Sequence, residues 1–179
     1  MRYVGIDYSL TSPCICIFEG ETFSFDKCAF HFLTSAPKFE DKFGSNIFGH
    51  SHEVFSCDEQ RYFNIASWVL KHLKDGDKII IEGYSMGSTG RVFNIAENAG
   101  LLKHYLWTAN MQYQVVPPTV IKKFATGKGN ANKDAIQQSF INETGVNIKD
   151  LLHMTEKQWN PSSDIIDSYY MCKYGVQNV

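Results

Sequence analysis

The sequence predicts an α/β fold on a five-stranded mixed sheet flanked by helices, and three observations carry that expectation. Three short apolar runs come first, at 2–8, 13–19 and 22–25, joined by brief turns; they read as an antiparallel meander. Ile79-Ile80-Ile81 is apolar at every position, which suits a strand covered on both faces at the centre of a sheet. After position 58 helical and extended patterns alternate, which adds two parallel strands to the first three.

Each element has a local cause. Val4 and Ile6 fall on one face of the first strand, and Gly5 and Asp7 on the other. Glu19-Gly20-Glu21 makes the turn into the third strand. From 33 to 57 the patterning breaks down among Pro37, Gly44, Asn46, Gly49 and Ser51, and this stretch reads as a loop insertion in a single 1–179 domain. Asp58 is expected to cap a helix whose apolar stripe is Tyr62, Ile65, Ala66, Val69, Leu70 and Leu73. The strand 78–82 ends in Glu82. A helix at 92–110 is expected to put Phe93, Ala96, Ala99, Gly100, Lys103 and Trp107 near one side, with Phe93 in the core and Ala99-Gly100 a point of close approach. A strand at 112–116 meets Pro117-Pro118, which opens a short helix to 124. Asn130 or Asn132 caps the next helix, residues 149–158 read as helical, and Pro161 starts a last helix that ends before Gly175.

Composition narrows the function classes. Hydrophobic residues make up 44% of the 179 residues and charged residues 20%, as in water-soluble globular proteins. No apolar run approaches the ~20 residues that span a bilayer, and no signal peptide is seen, so the expectation is a cytoplasmic protein without a membrane partner. Five cysteines, an odd number without a CxxC pair, fit a reduced compartment. Cys28, His31, His50, His52 and Cys57 flank or lie in the insertion, but their spacing matches no familiar zinc pattern and they read as scattered residues.

Four carboxylates carry the chemistry. Asp7 ends the first strand, Glu82 ends the buried strand, and Asp164 and Asp167 lie three apart on one face at the mouth of the last helix. Strand ends and a helix mouth can meet at one sheet edge. Hard oxygen donors with no nearby His or Cys favour Mg2+, with Mn2+ as a substitute. Such a set can hold two ions for phosphodiester hydrolysis. The net charge of −2 does not advertise a nucleic-acid binder, but discounting four metal-bound carboxylates moves the balance to +2. Lys122, Lys123, Lys128 and Lys133 surround the glycine loop Gly127-Lys128-Gly129 and make a phosphate-binding patch.

With these residues in view, the chain resembles the RuvC-type Holliday junction resolvases of the ribonuclease H-like nuclease superfamily. The resemblance rests on Gly5-Ile6-Asp7, Ile81-Glu82, the segment from Lys122 to Lys133, and Asp164-Ile165-Ile166-Asp167-Ser168. It implies a homodimeric, metal-dependent endonuclease of DNA recombination and repair that cuts branched DNA. It makes Asp7, Glu82, Asp164 and Asp167 the metal-binding acids, and gives Lys122 and Lys133 roles in DNA binding or catalysis. Where the family has Pro-Gly after the first Asp, this chain has Tyr8-Ser9. The aromatic that probes the junction centre in the family has Tyr84 and Met86 as its candidates here. The divergent loop and the insertion hint at a phage or viral version. Three other readings compete: a ribonuclease H-like nuclease acting on RNA–DNA hybrids or flaps, a nucleotide-binding relative of the actin-like ATPases, and a non-catalytic binder of branched DNA. The actin-like fold needs two such domains and a longer chain. A pure binder gains nothing from acids facing phosphate.

Overall fold

A computed structural model describes residues 1–83 and 92–179. The sheet runs through β1 (Arg2–Asp7), β2 (Cys14–Glu19), β3 (Cys28–Thr34), β4 (Lys42–Phe43), β5 (Ile47–Ser51), β6 (Lys78–Glu82) and β7 (Tyr113–Val116). Its order is β4-β5-β3-β2-β1-β6-β7. The antiparallel β1-β2-β3 meander and the parallel β1-β6-β7 half match the sequence expectation.

Around the sheet lie α1 (Asp58–His72), α2 (Val92–Thr108), α3 (Pro118–Thr126), α4 (Lys133–Thr144), α5 (Ile148–Leu151) and α6 (Ser162–Asn178). No helix among the described residues is long and apolar enough to cross a membrane. Strand alternation sorts the core into two faces. Val4, Ile6, Ile15, Ile79 and Ile81 pack against Ile65 and Val69 of α1 and Leu102 and Leu106 of α2. Cys16, Phe18, Phe30 and Ile80 face Phe140 of α4 and Tyr169 and Tyr170 of α6. All three isoleucines of β6 are buried, as a central strand requires.

Two glycines set the seating of α6. A side-chain carbon at Gly5 would overlap the Ser168 carbonyl and the Cys172 amide, so β1 and α6 touch backbone to backbone. At Gly175 an added Cβ would come within 2.8 Å of Ile80 Cγ1. Gly175 therefore marks close approach to the sheet, and α6 continues through it to Asn178 instead of ending before it.

Other expectations are corrected. Among the described residues the sheet has seven strands, not five, because the stretch read as a loop supplies β4 and β5, with β5 parallel to β3. The third strand lies at Cys28–Thr34 and not at 22–25, since Phe25 enters a short 3-10 turn and drops into the core. Cys57, not Asp58, sits at the cap of α1, and Asp58 instead occupies its first turn. Asn132 is the cap of α4, accepting from the Ala135 amide at 2.9 Å. Residues 149–158 do not form a helix: α5 stops at Leu151, His153 turns to φ 51°, and the Lys149 ammonium donates to the Glu156 carbonyl at 2.7 Å. On α2 the inward residues are Asn98, Leu102 and Leu106, while Phe93 and Trp107 are 79% and 74% exposed. Gly100 faces open space, so it is no point of close approach.

Candidate active site

Parallel pairing of β1 and β6 brings their carboxyl ends to one edge, where Ile6 pairs with Ile81. The next residues along are Asp7 and Glu82, on the face that α6 covers. The Gly5 contact fixes α6 on this strand, and its first turns carry Asp164 and Asp167 over the same edge. Asp7 is 8% exposed and Asp164 is 7% exposed. Glu82 and Asp167 are half-buried, at the edge of the same cluster.

Burial is the largest influence on all four carboxyls. It pushes Asp7 well above the usual carboxylate range, and Asp164, Glu82 and Asp167 add repulsion. Burial also raises Glu82 to about 7, against the opposing pull of Lys122. Asp164 is raised to about 6, held down by hydrogen bonds from Ser12 and Asp7 and by the charge of Lys133. Asp167 is raised to about 8 by burial, Glu82 and Asp164, with Lys133 and Lys122 opposing. The close approach of the Asp7 and Asp164 carboxyls raises the first and lowers the second.

This donor set fits hard divalent cations. The donors are all carboxylate oxygens, largely withdrawn from water, and each is disfavoured as an anion by the others. A cation among them reverses that penalty. No three of the four carboxylates bring their oxygens within 4.8 Å of one another; among the described residues only His31, His50 and His72 form such a group. The acidic set is thus not closed around one point.

A cleft of ≈ 440 Å³ opens beside the acids, lined in part by Asp7, Glu82, Asp167, Lys122 and Lys133. Lys122 and Lys133 therefore share the cleft with three of the acids. Lys123 of α3 and Lys128 of the α3–α4 connection are exposed and do not line it. Tyr84 and Met86 lie outside the described residues.

Several neighbours of the acids escaped sequence reasoning. Ser12 donates its hydroxyl hydrogen to Asp164, and Asn160 donates to Ser12 Oγ at 3.0 Å. Asn98 of α2 lines the cleft at 1% exposure, and among the described residues neither amide atom has a hydrogen-bond partner. No spacing rule links Ser12 to Asp164, 152 residues away. The only signal for Asn98 was a polar residue at a position in phase with Leu102 and Leu106. Tyr8 is buried in the α1–α2 side of the core and also lines the cleft.

No family model matches the chain. Over 80 residues it is 32% identical to the crossover junction endodeoxyribonuclease RuvC of Brachyspira hyodysenteriae, a match covering 45% of this chain. The matched stretch spans about half (50%) of that relative's length. Among solved structures, RuvC of Thermus thermophilus superposes with a TM-score of 0.57 at 14% identity, over 96% of this chain and 91% of that one. The T. thermophilus RuvC in complex with Holliday junction substrate gives 0.58 at 13% identity, over 96% and 90%. Ydc2, the yeast mitochondrial Holliday junction resolvase, gives 0.51 at 13% identity, over 98% and 78%. The fold is therefore the ribonuclease H-like α/β fold of the resolvases. The sequence and structural likenesses both run to RuvC proteins.

Proposed function

We propose that this protein is a metal-dependent endonuclease that cuts four-way DNA junctions by phosphodiester hydrolysis, acting as a homodimer. The observation that carries the reading is the gathering of Asp7, Glu82, Asp164 and Asp167 at one sheet edge, two buried and two half-buried, mutually repelling and beside a cleft that also holds Lys122 and Lys133. The four carboxylates would hold Mg2+ as two ions, with Mn2+ able to substitute. When bound, such ions supply an activated water and stabilise the leaving oxygen.

The chain's own residues supply the rest. Ser12, braced by Asn160, fixes one oxygen of Asp164 and keeps that carboxylate oriented toward Asp7. Lys122 and Lys133 give the cleft a positive wall for the DNA backbone, and Lys133 offsets charge that develops on the phosphate. Lys123 and Lys128, outside the cleft, serve flanking phosphates. Tyr84 and Met86 follow Glu82 in the chain and remain the candidates for contacts at the junction centre. A two-fold dimer would present two such sites to a junction of matched arms.

Parallel cleavage of a four-way junction, a flap, an RNA–DNA hybrid and a plain duplex tests the reading. Preferential cutting of the junction supports it. Preference for the hybrid or the flap would replace it with the ribonuclease H-like alternative, and tight junction binding without cleavage by any divalent ion would leave only a DNA-binding protein.

A further inference from the structure

On the opposite face of the sheet the fold assembles a cluster that the sequence scatters over three elements. His31 lies on β3 in register with Ile15 and Ile6, and so on the face covered by α1. His50 lies two residues beyond the His31 partner on β5, and His72 closes α1. One ring nitrogen from each of the three lies within 4.8 Å of the others.

The details favour ligation over chance packing. His31 Nδ1 and His50 Nε2 face each other at 3.1 Å. Two nitrogens on a tetrahedral ion with bonds of ~2.0–2.1 Å sit about 3.3–3.4 Å apart. As it stands the pair is a hydrogen bond; to share one ion it would lose the bridging proton and turn both lone pairs to a common point, while the nitrogens part by only a few tenths of an ångström. In His72, Nδ1 is already engaged with the Trp68 carbonyl at 2.9 Å. A donated Nδ1–H there leaves Nε2 as the free lone pair, which is how a backbone carbonyl commonly fixes the tautomer of a ligating histidine. Phe48 stacks on the His31 ring at 4.9 Å and 15°, and Trp68 packs edge-on to His72 at 5.0 Å. These aromatics wall the site and limit ring rotation. The nearby cations are balanced: Arg2 pairs with Asp77 at 2.5 Å, and Lys71 with Glu53 at 3.6 Å. Burial lowers all three imidazoles below their ordinary range, so they stand neutral, the form that binds metal.

We propose that His31, His50 and His72 form a transition-metal site, for Zn2+ or a similar late first-row divalent ion, separate from the acidic cleft. Three neutral imidazoles select such ions over Mg2+. They leave a fourth position for water or a further donor. Since the ligands come from β3, β5 and α1, the ion would tie the β4–β5 segment to the body of the fold. Of the residues that read as scattered, His31 and His50 are thus brought together. Cys28 is buried on the other face, Cys57 is exposed at the start of α1, and His52 is bonded to the Thr11 carbonyl at 2.8 Å.

Cobalt(II) titration of the chelator-stripped full-length chain, held in excess Mg2+, tests this. A four-coordinate site of nitrogen donors gives intense visible absorption, whereas Co2+ among carboxylates and water in the acidic cleft gives weak bands. The expected result is one intense-band site per chain, displaced by Zn2+. It should be retained in Asp7→Asn and weakened at least ~10–100-fold in His50→Gln and His72→Ala, since even losing an outer partner of a metal ligand costs that much. Thermal melts with and without Zn2+ provide a second readout: the Tm of the parent chain should rise and that of His50→Gln should not. Absence of intense bands in the parent chain, or their retention in His50→Gln, would overturn the proposal.

Discussion

The two faces of the β1–β3 sheet bury titratable groups in opposite ways. On the α6 face, loss of water raises Asp7, Glu82, Asp164 and Asp167, so the metal-free cluster holds protons near neutrality. On the α1 face, the same loss of water lowers His31, His50 and His72, so these rings shed protons and present lone pairs. Desolvation always disfavours the charged form. It makes the acids depend on a cation to ionise, whereas the histidines need none to become ligands. In the functions proposed above, one face would take hard ions together with a phosphate substrate, and the other a softer ion with a structural part.

Substitutions can break that contrast. The largest effect is expected at the acids. Asp7→Asn or Asp164→Asn should lower junction cleavage by at least ~10²–10³-fold, the cost of losing one fixed electrostatic group, while leaving gel-shift binding of the junction close to the parent level. Cleavage at the parent rate would show that the acids are not the site. Gly5→Ala should come next, since its Cβ would strike the α6 backbone. A loss of ~1–3 kcal/mol in chemical denaturation is expected, as for other overpacked cores, together with slower cleavage as Asp164 and Asp167 move away from Asp7.

The proton content of the acids gives a smaller and more specific effect. The folded-state pKa values of Glu82, Asp164 and Asp167, about 7, 6 and 8, exceed the unfolded values near 4, and Asp7 is raised in the same direction. The folded state therefore keeps protons that the unfolded state has released, and the stabilisation is complete below pH ~4 and lost as pH rises through 6 to 8. Metal-free protein should melt several degrees lower at pH 8 than at pH 5.5, and Mg2+ should restore more stability at pH 8. An unchanged Mg2+ effect between the two pH values would sever the link between burial and cation demand. The smallest change is expected for Lys133→Ala, which should slow cleavage more than it weakens junction binding; equal losses would reduce Lys133 to a phosphate anchor.

The acidic face was legible because each carboxylate ends or opens an element that its own neighbours define. Ile79-Ile80-Ile81 announces a buried strand, so Glu82 is located by counting, and Asp164 and Asp167 share a helix face by spacing alone. The histidine face was not legible, because its members meet only through the parallel pairing of β3 and β5 and the packing of α1. β4 is two residues long and β5 includes Gly49, so neither shows a two-residue hydrophobic period. Gly175 misled for a related reason: a glycine near a helix end reads as a stop, whereas here it lets α6 approach Ile80. The patterning of α2 failed because its inward face includes Asn98, a polar residue no hydrophobic stripe would count.

The proposed activity meets its most direct test in one incubation. The protein is mixed with a four-way junction labelled on each strand in turn, with and without Mg2+, and the cut positions are mapped. Paired nicks placed symmetrically across the junction, dependent on the ion and missing in Asp7→Asn, are the predicted result. An intact junction with Mg2+ and with Mn2+, or cutting that persists in Asp7→Asn, would contradict it.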